Sequence, residues 1–150
     1  MKKIIAALII SGSVLVSPEN GKANVSLPCS SVLEPVNTGY ANEKGVVLVY
    51  KVKLTPSFPR TSISIHANHL PTPSSLGEYD GYEGFAFIPN EISWRFKLYP
   101  IPVIGGPTWV GRFDEITADL ENSKLEVRLS NSKTGKLGPV VLESSINSCK

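Results

Sequence analysis

Helical periodicity is almost missing from these 150 residues, so a helical bundle is not expected. Two histidines and two cysteines are too few for a zinc-type cluster of repeated Cys and His ligands. There is no Gly-x-Ser-x-Gly elbow and no phosphate-cradling glycine loop, which removes the sequence marks of common hydrolases and nucleotide binders. No lysine or arginine run follows residue 23, so nothing offers a grip to nucleic acid or to an anionic membrane. The apolar run Ile4–Val16 has 13 residues, short of the roughly 20 that span a bilayer.

What the start of the chain does have is the layout of a secretory signal peptide. Met1-Lys2-Lys3 is a short basic start, Ile4–Val16 is a chargeless core, and Ser17-Pro18 breaks the apolar segment before a polar approach. Gly21 and Ala23 put small side chains where a signal peptidase needs them, which places the cut after Ala23. Cys29 follows Leu27-Pro28, which is unsuited to a lipoprotein anchor. The expected organisation is therefore a leader over 1–23 and one domain over 24–150, secreted to the cell exterior or periplasm, with no membrane insertion after cleavage. The basic start suggests a bacterial source. Lys2, Lys3 and Lys22 against Glu19 carry the whole net charge of +2, so the remaining 127 residues are about neutral. That length suits a single domain.

Export changes the meaning of Cys29 and Cys149, which stand at the two extremities of the mature chain. Cysteines in an oxidising compartment pair, and this pair closes a loop of 121 residues. Between them, apolar residues alternate with a period of two. Val46, Leu48, Tyr50, Val52 and Leu54 fall on one side of a strand whose other side carries Lys51 and Lys53. Ile63 and Ile65 alternate with Ser62, Ser64 and His66, and Trp94, Phe96 and Leu98 alternate with Arg95 and Lys97. Gly84–Ile88 is rich in aromatic and branched residues. Ile116, Ala118 and Leu120, then Leu125, Val127 and Leu129, flank the polar turn Glu121–Lys124 and predict a β-hairpin, with a bulge near Arg112–Asp114. A last strand is expected over Val140–Ile146. Prolines punctuate these segments. The predicted fold is an all-β, antiparallel sandwich of about seven or eight strands, immunoglobulin-like in architecture.

Candidate sites are few. His66 and His69 sit three apart, a spacing that sends strand side chains to opposite faces and opposes metal binding. Glu78, Asp80 and Glu83 lie in a glycine-flexed loop, the raw material of a calcium site without the spacing of an EF-hand. Tyr99–Trp109 is apolar yet holds three prolines and Gly105-Gly106, which bars an interior strand over much of it. Such a loop either caps the core or presents Tyr99, Ile101, Val103, Ile104 and Trp109 to a protein or glycan partner. No cofactor is expected and no catalytic set stands out.

Asn37-Thr38-Gly39-Tyr40 resembles part of the first loop motif of the chagasin-type cysteine-protease inhibitors, and Gly105-Gly106 lies where their glycine-rich second loop comes. That family consists of secreted immunoglobulin-like sandwiches that use loops at one end. Their Arg-Pro-Trp motif is missing from this chain, so no functional residue is carried over. The resulting expectation is a non-enzymatic secreted domain acting by surface recognition. The alternatives are a secreted protease inhibitor with a proline-stiffened loop, and a small hydrolase with a carboxylate pair.

Overall fold

Period-two alternation does build strands throughout the described residues, which in this computed structural model are 26–40, 42–53 and 58–150. The expected leader and Leu54 lie outside them. Eight strands follow in chain order: β1 (Cys29–Pro35), β2 (Lys44–Lys53), β3 (Pro59–Asn68), β4 (Gly81–Ile88), β5 (Ile92–Ile101), β6 (Thr108–Ile116), β7 (Lys124–Ser130) and β8 (Leu137–Ser145). The helical content of the described residues is three single-turn 3₁₀ segments, Thr38–Tyr40, Pro73–Leu76 and Ile146–Ser148.

All strand pairs are antiparallel, in the order β1-β2-β3-β6-β5-β4-β7-β8, and β8 returns to β1. The sequence pattern predicts a two-sheet immunoglobulin-like sandwich; the ladder instead closes into a barrel. Two strands that change partner along their length make the difference. β5 pairs with β4 from Ile92 to Leu98 and with β6 from Tyr99 to Ile101. β1 pairs with β2 from Cys29 to Leu33 and with β8 only at Glu34 and Pro35. Each half looks like one leaf of a sandwich, and the two corners join the leaves. At the β5 corner, Gly111 meets the Lys97 carbonyl and the Leu98 side chain so closely that a Cβ there has no room.

The core fills from the inward residues of both leaves, among them Leu33, Val47, Ile63, Phe96, Leu125 and Leu142. β3, β5 and β7 bury the faces that alternation predicts. β2 does not. Its inward residues are Gly45, Val47 and Val49, while Val46 and Leu48 face out. The run Gly45–Tyr50 is free of charge on both faces, so the pattern there has no power to choose. Lys51 and Lys53, on the inward parity, stay exposed past Val49, where β1 stops pairing with β2, and Lys51 donates to the Thr61 hydroxyl.

The predicted hairpin over Ile116–Leu129 is also corrected. β6 and β7 are not neighbours: β6 lies between β3 and β5, and β7 between β4 and β8. Residues 117–123 cross the end of the barrel, and Leu120 turns inward there as a buried plug. The bulge is present, with one extra β6 residue between Phe113 and Ile116 opposite Thr61 and Ile63.

Cys29 and Cys149 are bonded, with their Cα atoms 5.3 Å apart. Beside them, Ser30 and Lys150 exchange both backbone hydrogen bonds, at 2.8 and 2.9 Å. The C-terminal segment is thus tied to the start of β1.

Candidate functional site

Loops following β1, β3, β5 and β7 gather at one end of the barrel, and the candidate recognition segment is among them. Strands β5 and β6 form a hairpin with register Tyr99↔Val110, Pro100↔Trp109 and Ile101↔Thr108. Its tip is a tight turn in which the Gly106 amide donates to the Val103 carbonyl at 3.3 Å. Gly105 (φ 96°) and Gly106 (φ 117°) supply backbone angles that a side chain resists. Pro100, Pro102 and Pro107 restrict the rest of the segment.

The tip projects its apolar residues outward. Tyr99 is 65% exposed, Ile101 49%, Val103 50% and Ile104 fully exposed. These four residues are exposed and do not cap the core. Trp109 is different. It is buried, packed edge-to-face on Tyr82 with ring centroids 5.0 Å apart, and belongs to the core. Tyr82 in turn donates its hydroxyl to the Pro71 carbonyl at 2.8 Å, which holds the loop after β3 against the same cluster.

Glu78, Asp80 and Glu83 are not brought together. Asp80 accepts hydrogen bonds from the Ser132 hydroxyl and, at 2.8 Å, from the Ser132 amide, and these hold its carboxyl below the usual carboxylate range. Asn131 donates to the Glu78 carbonyl at 2.8 Å, so this pair of contacts laces the loop before β4 to the loop after β7. Glu83 lies on β4 and is gripped by Arg95, whose Nε and Nη2 donate to its two oxygens at 2.5 and 3.1 Å. Among the described residues no three His, Cys, Asp or Glu side chains form a set able to hold a metal. His66 is exposed on β3, and His69 begins the following loop with a positive φ of 58°.

A concavity opens where β1 and β8 diverge. It is a groove of about 920 Å³ lined by Ser30, Ser31, Val32, Glu143, Ser144 and Lys124, among others. The Ser31 and Ser144 hydroxyls share a hydrogen bond of 2.7 Å across it. Register places three carboxylates in a row over β1, β8 and β7: Glu34 opposite Glu143, and Glu143 opposite Glu126. Burial, with a smaller contribution from Glu143, pushes the Glu126 carboxyl above its ordinary range against the opposing pull of Arg128.

Sequence reasoning missed Glu43, a buried carboxyl just ahead of β2. A lone glutamate beside a polar turn carries no pattern that announces burial, and only the folding of β8 and the loop after β3 over it creates its environment.

The family model described as "SPbeta prophage-derived uncharacterized protein YoqH" matches residues 25–150. The chain belongs to the YoqH family. A relative of that same description from Bacillus subtilis (strain 168) is 53% identical over 150 residues, covering 99% of each chain. No solved structure matches the chain. YoqH-family membership thus spans the whole barrel, including the hairpin tip and the groove between β1 and β8.

Proposed function

We propose that this YoqH-family barrel is an exported, non-enzymatic recognition domain that holds a protein or glycan partner on the tip of the β5–β6 hairpin. One observation carries the reading: four apolar side chains, Tyr99, Ile101, Val103 and Ile104, stand exposed on a proline-restricted turn. Exposing them has a solvation cost that packing inside the barrel does not recover, and docking against a partner removes that cost. A stiff tip loses little conformational entropy on binding, so more of the contact energy is retained. The apolar chemistry of Ile101, Val103 and Ile104 favours a protein surface, while Tyr99 also suits stacking on a sugar ring. The export reading draws its support from the leader-like first residues and from the bond that joins the extremities of the domain.

The test uses the mature, disulfide-closed protein immobilised against secreted and surface fractions of a Bacillus culture. The double variant Ile101→Asp/Ile104→Asp is expected to lose a captured partner that the parent retains, with its melting temperature nearly unchanged. Equal capture by both proteins counts against the hairpin. A large loss of stability counts against an exposed tip.

The protease-inhibitor alternative has one observation of its own. The turn Thr38–Tyr40 and the Gly105-Gly106 tip project from the same end of the barrel, as a two-loop wedge requires. Incubation with a panel of secreted proteases at micromolar protein separates it from adhesion, since an inhibitor slows at least one enzyme and an adhesin slows none.

A further inference from the structure

At the same end as the hairpin, but on the opposite wall, a pocket of about 230 Å³ opens between the loop after β1, the 3₁₀ turn Pro73–Leu76 and strands β7 and β8. Asn37, Leu76, Leu129, Val140 and Val141 line it, and Glu43 completes the wall. The β8 side is shaped by irregular pairing. Between Val127↔Leu142 and Arg128↔Val140, and again before Ser130↔Leu137, β8 carries one residue more than β7. Such bulges re-aim side chains and break the simple in–out alternation, which is how the adjacent Val141 and Leu142 both become buried.

Glu43 is the unusual member. It is only 3% exposed, and neither Oε1 nor Oε2 has a hydrogen-bond partner among the described residues. Buried acceptors are nearly always satisfied, because an orphaned one forfeits its hydration without recompense. Burial also pushes this carboxyl above its ordinary range, and no charged neighbour offsets the effect. A carboxyl with both oxygens buried and unpartnered, set in a wall that is otherwise mostly leucine and valine, has the form of a binding site lacking its donor.

We propose that this pocket binds a guanidinium group carried on a short apolar stem, with the two Glu43 oxygens receiving its paired N–H donors. Two parallel N–H groups at fixed spacing match two orphaned oxygens of one carboxyl, which a single ammonium point charge does less completely. Leu76, Leu129, Val140 and Val141 take the methylene stem. The volume is below the roughly 300–1,000 Å³ of pockets for drug-sized ligands, so the occupant is side-chain sized. That chemistry has two sources, a free alkylguanidine or an arginine side chain on a partner. The site does not depend on the hairpin reading, and each fails or stands without the other.

Titration of isotope-labelled, disulfide-closed protein with n-butylguanidinium tests the site, with n-butylammonium and n-butanol as comparisons. Saturable amide shifts at Glu43, Leu76 and Val140, with a dissociation constant of about a millimolar, are expected for so small a ligand. Glu43→Gln should weaken binding at least about tenfold (equivalent to roughly 1.4 kcal/mol) while the chain stays folded, because it removes the charge and keeps the shape. Val140→Phe, which fills the pocket and leaves Glu43 in place, should abolish the shifts as well. A blocked Gly-Arg-Gly peptide forms the second arm. Tighter binding of the peptide than of n-butylguanidinium assigns the site to a partner's arginine, and the reverse order assigns it to a free alkylguanidine. No saturable shift with either probe, equal binding by folded Glu43→Gln, or equal affinity for n-butanol overturns the proposal.

Discussion

Breaking the Cys29–Cys149 bond should open the barrel along one seam before it unfolds the rest. The bond joins residues 120 positions apart and so closes nearly the whole described chain into one loop. For 121 residues the chain-entropy relation gives about 4.9 kcal/mol at 25 °C, an upper figure because a denatured chain retains some order. The seam it guards is thin. β1 and β8 share only the register pairs Glu34↔Glu143 and Pro35↔Leu142, whereas β2 and β3 are paired continuously from Lys44↔Asn68 to Lys53↔Pro59. Between those two seam pairs and the bond lies the open groove. A loss of about 3–5 kcal/mol is therefore expected on reduction, or in Cys29→Ala/Cys149→Ala.

Urea denaturation of the oxidised protein, the reduced protein and the double variant measures this. With a slope of about 2 kcal/mol/M, the midpoint should fall by about 2 M. Hydrogen exchange supplies the spatial half of the test. The Ser30 and Lys150 amides, which bond to each other's carbonyls, should lose protection first, and the amides of the β2–β3 ladder last. A midpoint shift below about 0.5 M, or a uniform loss of protection, would refute the reasoning that the bond is the main clasp of a weak seam.

Ile101→Asp/Ile104→Asp should move the melting temperature by less than about 2 °C, since both side chains already meet water; a larger drop in scanning calorimetry contradicts their exposure. Trp109→Ala, by contrast, should cost about 3–5 kcal/mol in denaturant titration, because it removes a buried ring packed on Tyr82. Glu43, whose folded carboxyl holds its proton above the ordinary value of 4.5, should favour the folded state fully at low pH and lose that contribution as pH rises through the raised folded value. The stability of the parent relative to Glu43→Gln should therefore decline with rising pH, and a difference that is flat from about pH 4 to about pH 8 contradicts an unpartnered buried carboxyl.

The sequence was most readable where polar and apolar residues alternate strictly. Ser62-Ile63-Ser64-Ile65 and Leu125-Glu126-Val127-Arg128 leave one choice of inward face, and the barrel takes it. β2 shows the limit, because Val46 to Val49 are four apolar residues in a row and the two lysines that follow lie past the end of the β1–β2 ladder. Pairing partners were still less readable. Ile116, Ala118 and Leu120 alternate like a strand, but the extra residue before Ile116 ends the ladder, and Leu120 is apolar because it plugs the barrel end. Closure itself depends on β1 and β5 exchanging partners midway, and nothing local to either strand encodes that. At the candidate site, the apolar tip announced itself through prolines and glycines that forbid an interior strand. Trp109 and Glu43 did not, since the environment of each is assembled from segments far away in the chain.

These features divide labour between the two ends of the barrel. At one end lie the disulfide, the Ser30–Lys150 pair, the Leu120 plug and the buried Ile146, a set of covalent and apolar restraints that holds the start of β1 to the C-terminal segment. At the other end lie the exposed hairpin tip, the Asp80–Ser132 lacing and the Glu43 pocket. Asp80 and Ser132 connect two loops directly, so their loss should loosen that end without reaching the clasp. Because the exposed tip residues Tyr99, Ile101, Val103 and Ile104 carry little stability, whereas Trp109 beneath them is core, substitutions confined to the tip alter recognition at small cost to folding. Stability effects of pairs drawn from opposite ends should then add to within about 0.5 kcal/mol. A marked departure from additivity between Cys29→Ala/Cys149→Ala and Ile104→Asp would mean that the clasp and the tip act through a shared strand, and β1 and β5, the two corners, are where such coupling has to run.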